Sequence, residues 1–134
     1  MIRHSAVPLP FGLIVEPVYP ASALPEFLDG LAQLSNKYTI TNVNFGHAGN
    51  GNIHVNLLVN PDMGDEMDRA EKCLNEIFDL VIRLNGTLSG EHGVGSEKRA
   101  YISKEIDGTT LALMKEIKRV FDPCNILNPG KMFP

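Results

Sequence analysis

The order of hydrophobic patterns along the chain predicts an α+β fold, a ferredoxin-like split βαβ sandwich with extra C-terminal helices. Apolar residues recur first with the period of a strand, then with that of a helix, in the order strand, helix, strand, strand, helix, strand. That order is the one of the ferredoxin-like unit. Two more helical patterns follow it, which accounts for the extra helices.

The first two predicted elements are a strand at about residues 13–18 and an amphipathic helix. Pro17 lacks an N–H group and moves the strand toward a sheet edge or a bulge. Ser22 is a residue type that caps helices, and Pro25 suits a first helical turn. The apolar stripe of this helix consists of Leu24, Phe27, Leu28, Leu31 and Leu34.

The second and third predicted strands are "TITNVNF" and "NIHVNLLV". In the third, apolar residues alternate with polar ones, beginning at Ile53 and Val55. Successive side chains of a strand point to opposite faces. We therefore expect His54 and Asn56 to point together, away from the apolar face.

The second half is predicted to hold a long helix, a short strand and two more helices. The long helix covers about residues 65–84 and ends at Asn85-Gly86, a typical C-cap, and "TLS" is the fourth strand. "SEKRAYISKEI" is predicted to be a short helix whose Lys98 and Arg99 face solvent. "GTTLALMKEIKRVFDP" is predicted to be a helix with its buried side at Leu111, Met114, Ile117 and Phe121.

Length and composition fit one globular domain over residues 1–134. A chain of 134 residues can form one substantial core. Its net charge of -4 argues against a nucleic-acid binder, which would usually be basic. The two cysteines, Cys73 and Cys124, form no CxxC pair and favour a reducing compartment. With no leader visible and no apolar run of membrane-spanning length, we expect a cytoplasmic location.

The stretch "GHAGNGNIH" places two histidines around a glycine-rich turn. Glycines there allow positive φ and close approach of a ligand or another chain. His47 and His54 could bind a divalent metal if a carboxylate joined them. From this segment alone, ordinary polar strand residues beside an awkward turn are the favoured interpretation, and metal binding is the alternative.

A second unusual stretch, "GTLSGEHGVGSEKR", places Glu91 beside His92 between glycines. A carboxylate and an imidazole so placed suggest a ligand and a general base in one loop. The alternative is a flexible surface loop with incidental charges. Gly93 and Gly95 do not indicate a nucleotide-binding turn, since the third glycine and the strand–turn–helix setting are missing.

These two motifs and the C-terminal "IKRVFDPCNILNPGKMF" together resemble the C-terminal domain of FAD-linked oxidases. That family includes the glycolate oxidase flavin subunit and the D-lactate and D-2-hydroxyglutarate dehydrogenases of the vanillyl-alcohol-oxidase superfamily. The resemblance runs from about Pro20 to the end of the chain, with three motifs in the family's order.

The resemblance implies a role for each motif residue. The metal ligands it implies, for a divalent ion that is often zinc, are His47, His54 and Glu91. His92 is implied to take the substrate hydroxyl proton and Asn56 to approach the substrate. The terminal segment from Asn128 is implied to lie near the flavin. The metal would stabilise the developing alkoxide of a 2-hydroxy acid, and FAD would accept the hydride.

The same resemblance predicts limits on what this chain does alone. The family's FAD-binding domain has no counterpart here, so we expect a fragment that needs that domain in cis or in trans and is inactive in isolation. Asn50 stands where the motif usually has aspartate, which predicts weaker metal binding. Ile14 and Ala21 stand at the loosely aligned positions of basic substrate-binding residues, which predicts altered substrate recognition.

Two other functions compete with the oxidase. One is a non-catalytic ferredoxin-like interaction or oligomerisation domain, whose exposed strand edge would pair with another chain in a homodimer. The other is a small-molecule-sensing domain, which would explain the fold but not the paired histidine and glutamate motifs.

Overall fold

The protein is an α+β structure in which helices pack against a small antiparallel sheet. The computed structural model describes residues 11–60 and 62–134. Its strands are β1 (Phe11–Val15), β2 (Thr41–His47) and β3 (Asn52–Val59), in the order β1-β3-β2. Its α-helices are α1 (Leu24–Tyr38), α2 (Gly64–Arg83) and α3 (Gly108–Phe121).

The core lies between β3 and the two helices α1 and α2. Alternate residues of β3 are buried there, as the sequence pattern predicts, and Val55 and Leu57 have no exposed surface. Burying such a side chain stabilises the fold by roughly 1.5–3 kcal/mol. The helices contribute Phe27, Leu31, Ala70, Cys73, Leu74, Ile77, Phe78, Leu80 and Val81.

The hairpin between β2 and β3 is closed by a 3-10 turn, Ala48–Asn50, followed by Gly51. Gly51 has φ +67°, and a Cβ built on it would lie 1.8 Å from the carbonyl oxygen of Tyr19. Its own carbonyl accepts the Tyr19 N–H at 3.1 Å. Glycine is therefore required here by close approach of two backbones.

The predicted fourth strand is reduced to a single bridge. β1 ends at Val15, earlier than predicted, and Val18 exchanges two backbone hydrogen bonds with Thr87. Pro17 cannot donate a hydrogen bond, which limits regular pairing at this end of β1. Val18 also bridges Asn52, the first residue of β3, so the chain after Thr87 already lies at the histidine end of the sheet.

The ends of the first two helices follow the sequence prediction in part. Ser22 does not cap α1, because it lies in a 3-10 turn, Ala21–Ala23, and Ala23 takes the cap position without a side-chain hydrogen bond. α2 ends as predicted, with Asn85 at φ +57° and the Gly86 N–H donating to Val81 O at 2.9 Å.

The C-terminal region departs most from prediction. The predicted short helix is a 3-10 segment, Arg99–Lys104. α3 begins where predicted and is capped by Asp107, but on its predicted buried side Ile117 is 51% and Phe121 80% exposed. Leu111, at the start of that side, is buried as predicted, so the described elements cover the N-terminal part of the apolar face of α3 and leave its C-terminal part exposed.

None of the described helices combines the length and apolar character needed to cross a membrane.

Candidate metal centre

The β2–β3 hairpin holds both histidines of the first motif. His47 is the last residue of β2 and is exposed, whereas His54 lies inside β3 with its side chain only 11% exposed. Phe45, the register partner of His54, stacks on its ring at a centroid distance of 5.0 Å. The ring centroids of the two histidines are 6.3 Å apart. The turn therefore brings the two imidazoles together at the hairpin end of the sheet.

Glu91 meets these histidines from the loop that follows α2. Its Oε1 lies 3.1 Å from His54 Nε2. One ligand atom from each of His47, His54 and Glu91 can be chosen so that all three lie within 4.8 Å of one another. Three residues predicted as metal ligands, 7 and 37 positions apart in the chain, therefore converge at one place.

His92 lies beside this cluster and is half-exposed. Its ring centroid is 5.4 Å from that of His54, and its Nε2 is 3.9 Å from Glu91 Oε1. Its Nδ1 lies 3.7 Å from an oxygen of Glu16, within ion-pair distance but beyond a hydrogen bond. The imidazole therefore stands next to the cluster, with one face open to solvent.

A buried ion pair, which was not predicted from the sequence, underlies the loop that carries Glu91 and His92. Glu16 has no exposed side-chain surface, and its carboxylate contacts the Lys98 ammonium, whose side chain is 5% exposed. Lys98 was predicted to face solvent, and that prediction is wrong because a fully buried carboxylate requires a cation. The sequence feature that could have indicated this pair is a glutamate inside the apolar run "GLIVEPV".

Hydrogen bonds complete the environment of Glu16. Its Oε1 accepts the Ser89 hydroxyl and the His92 backbone N–H, each at 2.9 Å. Burial alone would raise the pKa of this carboxyl, but the hydrogen bonds from Lys98, His92 and Ser89 outweigh it. The pKa of Glu16 is therefore lower than usual, and the residue is a carboxylate at neutral pH.

The two asparagines implicated by the resemblance lie in different parts of the molecule. Asn56 is buried on the face of β3 that carries His54, and its amide donates to Val43 O at 3.1 Å. Asn128 is exposed at φ +49° in the C-terminal segment. It borders a cavity of about 490 Å³ that His92 and Lys131 also line.

Two of the positions where the sequence departs from the family's pattern are exposed. Asn50 closes the hairpin turn between the two histidines, and Ala21 begins the 3-10 turn before α1. The side chain of Ile14, the other such position, lies outside the described residues.

Comparison with known proteins places this chain in a family. Residues 5–132 match the family model described as FAD linked oxidases, C-terminal domain. Glycolate oxidase subunit GlcD of Bacillus subtilis is 40% identical over 124 residues, which cover 92% of this chain and 26% of that protein. The D-2-hydroxyglutarate dehydrogenase of Stutzerimonas stutzeri is 45% identical over 92 residues, covering 66% of this chain and 20% of that protein.

A plant relative has similar coverage. The mitochondrial cytochrome-type D-lactate dehydrogenase of Arabidopsis thaliana is 32% identical over 122 residues, covering 91% of this chain and 22% of that protein. The chain thus spans about a quarter of the length of the curated relatives it matches. Since the family model covers nearly the whole chain, the protein belongs to the family of the FAD-linked oxidase C-terminal domains.

Proposed function

We propose that this chain is the metal- and substrate-binding domain of an FAD-dependent 2-hydroxy acid oxidoreductase of the glycolate oxidase or D-lactate dehydrogenase type. The observation that carries the proposal is the convergence of His47, His54 and Glu91 within 4.8 Å beside His92. Relatives named for glycolate, D-lactate and D-2-hydroxyglutarate support a small 2-hydroxy acid as substrate.

The donor set fits a divalent metal. Two imidazoles and one carboxylate are the ligands of many catalytic zinc sites, which keep a position open for water or substrate. Bonds of about 2.0–2.1 Å in a tetrahedral site put ligand atoms about 3.3–3.5 Å apart. The distance of 3.1 Å between His54 Nε2 and Glu91 Oε1 is already near that value. The other two pairs of ligand atoms lie within 4.8 Å, so each has to shorten by at most about 1.5 Å to reach it.

Each residue of the site has a proposed task. His47, His54 and Glu91 would hold the metal, and His92, half-exposed beside them, would take the proton of the substrate hydroxyl. Asn56 would contact the substrate from the same face of β3 as His54. When bound, the metal supplies charge stabilisation at the substrate oxygens, and FAD supplies the hydride acceptor.

The exposed face of α3 supports a partner domain. Ile117, Val120 and Phe121 are each more than half exposed, and the C-terminal segment adds Leu127 beside them. This apolar face borders an open cavity of about 460 Å³ that Asn128 also lines. Contiguous exposed apolar surface usually marks an interface. Because the relatives are about four times as long, we propose that their FAD-binding portion covers this face, with Asn128 toward the flavin.

The fold and location belong to the same proposal. The order β1-β3-β2 with α1 and α2 supports a ferredoxin-like split βαβ unit whose fourth strand has shrunk to the Thr87 bridge. Residues 1–134 would form one domain, in a cytoplasmic protein.

Zinc titration of the 134-residue chain tests the metal site. We expect one Zn²⁺ per chain by calorimetry. Loss of an orienting partner alone costs roughly 10–100-fold in affinity, so His47→Ala, which removes a ligand, should cost more than about 100-fold. His92→Gln is the matched control, an adjacent histidine outside the ligand set, and should bind zinc nearly as well. Equal affinity of the wild type and His47→Ala would refute the assignment.

A substrate titration extends the test. The zinc-loaded chain should bind glycolate or D-lactate more tightly than the metal-free chain does, because the metal supplies the site for their oxygens. An affinity for glycolate or D-lactate that is the same with and without zinc would contradict the proposed role of the metal.

A second candidate, a non-catalytic oligomerisation module, is favoured by one observation. Among the described strands β2 lies at a sheet edge, and its Val43 and Phe45 are 48% and 60% exposed. Such an edge can pair with a second chain. Light scattering discriminates the two: a stable dimer without zinc binding favours the module, and a zinc-binding monomer favours the oxidase domain.

A further inference from the structure

We infer that Glu16 is a positioning residue that clamps the loop carrying Glu91 and His92 against the sheet, with Lys98 as its counter-charge. The inference rests on the proposed function for its consequence, metal binding, but its geometry is independent of any metal. Glu16 immediately follows β1, and the loop lies more than seventy residues later in the chain.

The clamp holds the backbone N–H groups of the two residues that flank Glu91. The Gly90 N–H donates to the backbone oxygen of Glu16 at 3.0 Å. The His92 N–H donates to the side-chain Oε1 of the same residue at 2.9 Å. With both neighbours fixed to Glu16, the backbone of Glu91 has little freedom to turn its carboxylate away from His54.

Two further contacts fix the carboxylate of Glu16 itself. The Ser89 hydroxyl donates to Oε1 at 2.9 Å, and the Lys98 ammonium contacts Oε2 and also Ser89 Oγ, the latter at 3.1 Å. A buried carboxylate with several charge-assisted partners has one strongly preferred orientation. The loop therefore rests on a rigid support, as precise ligand geometry requires.

Gly90 allows the loop to lie close to the backbone of Glu16. A Cβ at this position would lie 2.5 Å from Val18 Cγ2 and 3.3 Å from Glu16 O. Only glycine allows the backbone to reach the carbonyl of Glu16 without displacing Val18. The glycine before the Glu91-His92 pair is thus part of the clamp.

The test compares three variants of the 134-residue chain. Glu16→Met/Lys98→Met replaces the ion pair by apolar side chains of similar size, a change that buried pairs often tolerate. Glu16→Gln keeps the shape and one acceptor but removes the charge. Glu97→Gln is the matched control, since it removes one exposed carboxylate from the same loop.

The hydrogen-exchange rates of the backbone amides, measured without metal, test the clamp directly. In the double variant the His92 amide loses its acceptor and should exchange faster by about tenfold or more. The Gly90 amide keeps its partner, the backbone oxygen of residue 16, so it serves as an internal control for folding. Unchanged exchange at His92 in a folded double variant would overturn the clamp.

Zinc titration tests the consequence of the clamp for metal affinity. We expect the double variant to bind zinc roughly 10–100-fold more weakly, Glu16→Gln to fall between it and the wild type, and Glu97→Gln to match the wild type. Wild-type affinity in a double variant whose His92 amide exchanges faster would refute positioning. If the wild type itself binds no zinc, the proposed function fails, and the exchange experiment alone decides the clamp.

Discussion

Replacing Lys98 by methionine should destabilise the protein strongly at neutral pH and only weakly near pH 5. Methionine nearly preserves the volume of the lysine stem but removes the cation that faces Glu16, whose side chain has no exposed surface. The remaining hydrogen bonds to the buried carboxylate would then come from the Ser89 hydroxyl and the His92 backbone N–H. Loss of one partner of a buried ion pair typically costs about 3–5 kcal/mol.

Protonation of Glu16 limits the part of that cost that comes from burying an unpaired charge, because the carboxylate can take up a proton. For a glutamate whose ordinary pKa is 4.5, protonation at pH 7 costs about 3.4 kcal/mol, at about 1.36 kcal/mol per pH unit. We therefore expect a loss in the free energy of unfolding of about 3 kcal/mol at pH 7. At pH 5 the same limit is about 0.7 kcal/mol.

Urea denaturation at the two pH values measures both numbers. Lys104→Met, which breaks the more exposed pair with Asp79, is the control and should cost less than about 1 kcal/mol at either pH. Glu16→Met/Lys98→Met should regain most of the stability lost by Lys98→Met. A loss below about 1 kcal/mol at pH 7, or an equal loss at pH 5, would show that the buried charge does not control the stability of this region.

Three further predictions follow from single features of the structure. Because the pKa of Glu16 is lowered in the folded state, this residue contributes stability that is complete above its unfolded pKa of 4.5 and is lost as pH falls through the folded pKa. The free energy of unfolding, measured as a function of pH, should show this loss in the wild type and less of it in Glu16→Met/Lys98→Met. Burial raises the pKa of the Cys73 thiol to about 11, whereas Cys124 is exposed, so a disulfide reagent should modify one thiol in the native protein and two in urea. Gly51→Ala would place a Cβ 1.8 Å from Tyr19 O at a positive φ. We expect this clash to destabilise the protein by about 2 kcal/mol or more, measured by thermal unfolding, and to weaken zinc binding. An unchanged melting temperature would contradict this prediction.

The chain by itself determined the elements whose signals are local. The alternation around Val55 and the helical period of α2 reflect neighbours along the chain, so both elements appear where predicted. Glycine-rich settings, which ordinary strands and helices do not need, also singled out Glu91 and the two histidines, and the family resemblance implied that these residues act together as metal ligands. Local chemistry of this kind requires no knowledge of what packs against it.

Tertiary structure alone decided the features that depend on distant partners. Glu16 and Lys98 are 82 residues apart, and although the apolar run around Glu16 indicates a buried carboxylate, nothing near either residue identifies the other as its partner. Likewise, the apolar stripe from Leu111 to Phe121 has the same helical period whether its face is buried or exposed, so the period did not reveal that Leu111 is buried while Phe121 stays exposed among the described elements. Periodicity records which side of an element is apolar, whereas burial depends on which other element lies against that side.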